Sequence, residues 1–210
     1  MKFPSIQKIA TILFWILVFL VSINFYVSNV YPYFEGNLTP RLEAEKWWLM
    51  LHFTCAGCTL FLGPLQFIPY IRNNYRRWHR VAGKIYIIGS VVSALTVFVL
   101  LSNYTLPGAV PSLGFLAIIW LFTTIAAYWF AVKKNFKYHR HFMIRSYVCG
   151  LAFVFIRIMP ILNDFTGVFD FIKDDEMRFT VYEWVCWVYP LLFTEFLLVW
   201  WPSLRTKKES

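Results

Sequence analysis

Residues 72–101 read RNNYRRWHRVAGKIYIIGSVVSALTVFVLL. The head of this stretch carries Arg72, Arg76, Arg77, Arg80 and Lys84 and no acid, and the apolar run 81–101 follows with Lys84 as its one charge. As a helix rising about 1.5 Å per residue, such a run matches a bilayer hydrocarbon core of about 30 Å. Basic residues beside a spanning segment mark its cytoplasmic end. The stretch therefore reads as a transmembrane helix entering from a basic, inner face.

Five further runs have the same character: residues 9–27, 47–71, 113–132, 142–162 and 181–201. The predicted fold is all-α, a polytopic membrane helical bundle of six transmembrane helices, forming one integral membrane domain over residues 1–210. Segment 9–27 lacks the small-x-small exit of a cleaved signal peptide and reads as a span. The 210 residues are 59% hydrophobic, 21% aromatic and only 15% charged. A soluble domain carries about a quarter charged residues, so that class is excluded. Six spans leave only loops and no room for a separate catalytic domain. Trp47, Trp48, Trp78, Trp200 and Trp201 fall at predicted helix ends, where amphipathic rings anchor at the interface.

The loops alternate in charge. Residues 72–84 and 133–145 each carry five basic residues and no acid, whereas residues 163–180 carry Asp164, Asp170, Asp174, Asp175 and Glu176 against Lys173 and Arg178. The side shared by both ends of the chain holds 15 of the 20 basic residues. Both termini are thus expected in the cytoplasm. The net charge of +9 is read as orientation on an anionic leaflet, not as a sign of nucleic acid. The triplets Asn37-Leu38-Thr39 and Asn103-Tyr104-Thr105 fit a glycosylation pattern on the expected outer side.

Ionisable groups at membrane depth are costly and are functional candidates. His52, Arg157 and Glu183 all fall near the outer side and are expected to form one polar cluster. Arg145 and Glu195 fall near the inner side, where an ion pair, a proton path or a propionate clamp is the expectation. His79, His139 and His141 lie at the inner interface. Two imidazoles on different helices at one depth, here His79 and His141, are what axial haem ligation needs. Arg80 and Lys84 are placed for headgroup phosphates or a propionate, Gly83 for close packing one turn after His79, and Tyr147 for a hydrogen bond inside the bundle. Cys55 and Cys58 share a helix face at i and i+3, with His52 three residues earlier. They are candidates for thiol exchange or a soft metal with Cys186, though the small residues 55–59 also suit close helix packing. No Gly-rich phosphate loop, HExxH or GxSxG is present in the sequence.

Trp78-His79-Arg80-Val81-Ala82-Gly83-Lys84-Ile85-Tyr86 and His139-Arg140-His141-Phe142-Met143-Ile144-Arg145-Ser146-Tyr147, with His52, Arg157 and Glu195, resemble a family of uncharacterised predicted multi-pass bacterial membrane proteins. The matching patterns are an HRxxGKxY-like stretch opened by His79 and an HxxxMxRSY-like stretch opened by His139. The resemblance implies a helical fold in a bacterial cytoplasmic (inner) membrane and little biochemistry. The layout is also similar, by analogy alone, to cytochrome b561-type haem proteins. With only His52 on the outer side, a two-haem arrangement is not expected.

The leading expectation is a redox protein or subunit binding haem b or a quinone near the inner face, in contact with the lipid bilayer and with other membrane subunits or a second copy. A non-catalytic subunit or assembly factor, a small permease or channel, and a thiol-disulfide protein using Cys55 and Cys58 are the alternatives.

Overall fold

The computed structural model describes residues 13–21, 23, 24, 27, 28 and 40–206. The chain divides into two compact units, Met1–Lys46 and Trp47–Ser210. In the first, residues 13–21 are helical, and Phe14 meets Trp15 edge to face with centroids 5.1 Å apart. The expected first span, 9–27, lies partly outside the described residues, and Asn37-Leu38-Thr39 lies wholly outside them.

Among the described residues every regular element is helical: α1 Pro40–Phe67, α2 Pro69–Asn74, α3 Arg76–Leu101, α4 Val110–Val132, α5 Phe136–Thr166, α6 Asp175–Glu195 and α7 Trp201–Thr206, with a π-helical turn Phe196–Trp200 before α7. Five helical stretches of these residues are long and apolar enough to cross a membrane: Glu43–Phe67, Arg76–Leu101, Pro107–Val132, Phe136–Thr166 and Asp175–Leu204.

Helix α4 shows why the solvent is lipid. Phe115, Ile118, Phe122, Ile125, Trp129 and Val132 recur every three or four residues, and each is more than half exposed. The opposite face, Ser112, Ala117, Trp120, Thr123, Thr124 and Ala127, is buried. Large apolar groups point out and small or polar groups point in. That inverts the pattern of a water-soluble helix and suits a bundle whose outer surface meets acyl chains while small residues let helices approach.

The element ends follow local chemistry. Pro69 cannot continue the ladder of α1, which stops at Phe67, so the single run 47–71 becomes a span and a short separate helix. Lys134 adopts a left-handed φ of 58° in the α4–α5 turn. Asn135 then caps α5 by accepting the Tyr138 N–H at 3.4 Å. Gly167, at φ 64°, ends α5 and donates its N–H to the Asn163 carbonyl at 2.7 Å. The Asp174 carboxylate accepts the Met177 N–H at 2.7 Å, and Asp175 and Glu176 follow in the first turn, where negative charge suits the helix dipole. Helices α3, α5 and α6 therefore begin at Arg76, Phe136 and Asp175, outside the apolar runs expected from 81, 142 and 181. Capping and headgroup-level residues extend each helix beyond the hydrocarbon.

Packing between α1 and α3 is close. A Cβ on Gly89 would stand 2.8 Å from the Cys55 carbonyl oxygen and 3.2 Å from Thr59 Cγ2. The small residues 55–59 thus act as a packing surface.

Candidate functional site

The ionisable groups divide between the two ends of the Trp47–Ser210 unit. At the acidic end, His52 of α1 is held by α3. Thr96 donates its hydroxyl proton to the Ser93 carbonyl at 2.8 Å. The His52 Nδ1–H is then the donor to both the Ser93 carbonyl, at 3.1 Å, and Thr96 Oγ1, at 3.0 Å. Arg157 of α5 stands instead within electrostatic reach of Glu183, Tyr104 and Cys186, with its guanidinium 4.8 Å from the Phe153 ring centroid. The expected outer cluster is thus two groupings, Arg157 with Glu183 and His52 with α3.

Cys55, Cys58, Cys149 and Cys186 are free thiols. No group of three or more His, Cys, Asp or Glu among the described residues is placed to hold a metal ion. The soft-metal site expected from His52, Cys55, Cys58 and Cys186 does not assemble, because α6 packs on α4 and α5. Cys186 also turns its thiol to the Glu183 carbonyl at 3.3 Å.

At the basic end, Arg145 and Glu195 form a two-pronged ion pair: Nε donates to Oε1, and Nη2 donates to Oε2 at 2.8 Å. The two side chains are 13% and 29% exposed, so most of the pair is withdrawn from water. The Arg145 guanidinium lies 5.1 Å from the Phe142 ring centroid. The π-helical turn begins at Phe196, directly after Glu195, which widens the helix where its carboxylate must reach α5. His141 sits in the field of Arg145, Lys137, Arg140 and Glu195.

His79 has other company. It lies within electrostatic reach of His139, Arg72 and Arg80. His139 gives its Nδ1–H to the Ala127 carbonyl at 2.8 Å, which leaves its Nε2 lone pair free. That carbonyl-oriented tautomer is the one metal-binding imidazoles use. The Nδ1 of His79 is buried and has no hydrogen-bond partner. The structure therefore groups His79 with His139, on α3 and α5, and places His141 with the Arg145–Glu195 pair. Arg80 and Lys84 are exposed at this end.

Gln66, which sequence reasoning did not single out, and Tyr147, which it did, complete the basic end. Gln66, at the end of α1, is 6% exposed, and its Nε2 has no partner. A Cβ on Gly83 would lie 3.2 Å from Gln66 Oε1, so the amide rests on α3 one turn from His79. Beside it, the Phe67 and Tyr147 rings meet edge to face at 5.8 Å, and Tyr147 donates its hydroxyl to the Leu60 carbonyl at 3.1 Å.

Deeper in the bundle, Tyr86, Ser90, Ser93 and Thr96 form a buried polar seam along α3. Ser146 Oγ meets Tyr86 at 3.0 Å and Thr124 at 2.6 Å, joining α3, α4 and α5. Ser90 Oγ and Trp120 Nε1 are buried there beside the Tyr86 hydroxyl. The seam was hidden in the sequence because Ser and Thr are common packing residues in membrane helices.

Chemically, the basic end offers two imidazoles on different helices, an amide donor without an acceptor, an aromatic wall and surface cations. No curated protein and no solved structure matches the chain. The family described as "Predicted membrane protein (DUF2306)" matches residues 49–198, which takes in both histidine motifs and most or all of each of the five candidate spans, and the chain belongs to that family.

Proposed function

We propose that the chain is a membrane redox protein, or the membrane subunit of a redox complex, that holds a haem or a quinone at the basic end of its bundle. In this reading the protein lies in a bacterial inner membrane, and the positive-inside rule supports the basic end as its cytoplasmic one. The observation that carries the reading is that His79 and His139 stand within electrostatic reach of one another. They come from different helices, one with a buried Nδ1 that lacks a partner and the other held by Ala127 with Nε2 free. A buried polar atom without a partner costs about 1–3 kcal/mol, and a bound group removes that cost. Arg72 and Arg80 stand beside the pair to neutralise propionates or the charge of a reduced ring. When bound, such a group supplies electron-transfer chemistry, and these residues bind and orient it.

The Arg145–Glu195 pair is assigned a different role. Both carboxylate oxygens are taken by one guanidinium. It is a clamp between α5 and α6 and not a proton carrier.

The test is purification in mild detergent, followed by a reduced-minus-oxidised absorption spectrum and analysis of an organic extract. The expected result is haem or quinone near one per chain, lost in His79→Leu protein of unchanged melting temperature. A preparation with neither group overturns the proposal.

A further inference from the structure

We infer that residues 64–74 form a hinged lid at the basic end of the bundle, and that the Tyr147 hydroxyl is its latch, standing in for the backbone N–H that Pro64 lacks. The inference goes beyond the redox reading and holds whichever group the histidines take.

The hinge follows from proline chemistry. In an unbroken helix the Leu60 carbonyl accepts the N–H of the residue four positions on. Here that residue is Pro64, inside α1, which has no N–H to give. In a membrane bundle a neighbouring helix must answer a carbonyl freed in this way. Tyr147 of α5 does so, donating its hydroxyl to the Leu60 carbonyl at 3.1 Å. The preceding residue makes the bond possible: Gly63 is buried against the Tyr147 ring, where a Cβ would clash with it. Gly63 and Pro64 thus work together. The glycine admits the ring, and the proline leaves the carbonyl that the ring's hydroxyl takes.

The chain beyond the hinge has the marks of a movable piece. Pro69 interrupts the helix a second time, and α2 starts there. Tyr75, with a non-helical φ of −121° and ψ of 54° between α2 and α3, supplies the far pivot. Leu65, Ile68 and Tyr70 are exposed, and no residue of α2 is buried. Few buried contacts mark the parts of a fold that open most readily. The piece is held at its base, where Gln66 rests on Gly83 and the Phe67 ring meets Tyr147 edge to face at 5.8 Å. One side chain therefore makes two of the holding contacts: the Tyr147 hydroxyl fixes the hinge, and its ring fixes the first turn beyond it. The lid also brings a charge to the histidines. Arg72 of α2 lies within electrostatic reach of His79, which is half-buried and within reach of His139. A swing about Pro64 and Tyr75 withdraws Arg72 and opens the way to His79.

The experiment is amide hydrogen exchange read by mass spectrometry on the full chain in lipid nanodiscs, for wild type, Tyr147→Phe, Pro64→Ala and the double variant. Tyr147→Phe keeps the ring and removes the hydroxyl. It is expected to speed exchange over residues 65–74 about fivefold, the loss of one hydrogen bond, and to leave α4 and α6 unchanged. In the Pro64→Ala background the new N–H answers the Leu60 carbonyl, so the same change is expected to have no effect. Carbethoxylation by diethyl pyrocarbonate reads the cover: modification of His79 is expected to rise in Tyr147→Phe and to return to the wild-type level in the double variant, with His52 at the acidic end as the unchanged control. Equal exchange in wild type and Tyr147→Phe overturns the inference. So does faster exchange in every span, which marks a general loss of packing, or faster exchange over 65–74 with His79 no more reactive. An equal effect of Tyr147→Phe with and without Pro64 shows that the hydroxyl does not replace the missing N–H, and also overturns it. Where Tyr147→Phe does not fold, Pro64→Ala alone decides: slower exchange over 65–74 supports the hinge, and unchanged or faster exchange overturns it. None of these readouts uses a bound redox group, so this inference and the redox proposal fail separately.

Discussion

Replacing Arg145 with leucine is expected to destabilise the protein by about 3 kcal/mol, because it strands the Glu195 carboxylate at the end of α6 inside the bundle. The size follows from burial and geometry. Arg178 and Asp175 also form an ion pair, but Asp175 is 84% exposed, and such pairs are worth about 0–1 kcal/mol. Arg145 and Glu195 are 13% and 29% exposed and bond through two parallel contacts. The double variant Arg145→Leu/Glu195→Leu removes both charges and is expected to recover most of the loss. Melting temperature in detergent, followed across the four-member cycle, measures the coupling. A double variant no more stable than Arg145→Leu would show that the guanidinium acts elsewhere.

Gly63→Leu is expected to be at least as damaging. A Cβ at position 63 would clash with the ring of Tyr147 at its Cε2 and Cδ2 atoms. That ring is 5% exposed, and its hydroxyl is tied to the Leu60 carbonyl at 3.1 Å, one turn before Gly63. It cannot move without losing the bond and its contact with Phe67. Overpacking of this kind costs about 1–3 kcal/mol, and more where the neighbour is fixed. Shortening Tyr147 to alanine in the Gly63→Leu background is expected to restore folded protein, although Tyr147→Ala alone is destabilising. Folded yield by size-exclusion chromatography reads the result. Failure of Tyr147→Ala to suppress Gly63→Leu would place the conflict elsewhere on α1.

These two sites differ in how readily the sequence shows them. Arg145 and Glu195 are opposite charges near the same depth in apolar runs, so their meeting follows from the cost of burying either alone. Gly63 carries no such mark, because its role depends on which residue of α5 faces it. The positions of the five described spans were legible from hydropathy, but their ends were not. Asn135 and Asp174 cap helices outside the apolar runs, and Pro69 cuts one run in two.

The histidines show the same limit. His139 and His141 are two residues apart, so on a helix they point about 200° apart. Sequence spacing does not say which of them faces α3. The structure gives that place to His139 and turns His141 toward Arg145 and Glu195. Gln66 was less legible still: a neutral amide in an apolar run attracts no attention until Gly83 is seen against it and its Nε2 is found without a partner.

The central claim is that His79 and His139 hold a redox group at the basic end. The most direct measurement is a density map of the full chain in lipid nanodiscs containing the native lipid extract. The account predicts planar density between α3 and α5, in contact with the His79 and His139 rings. A map with no planar density beside the His79 and His139 rings would contradict the account.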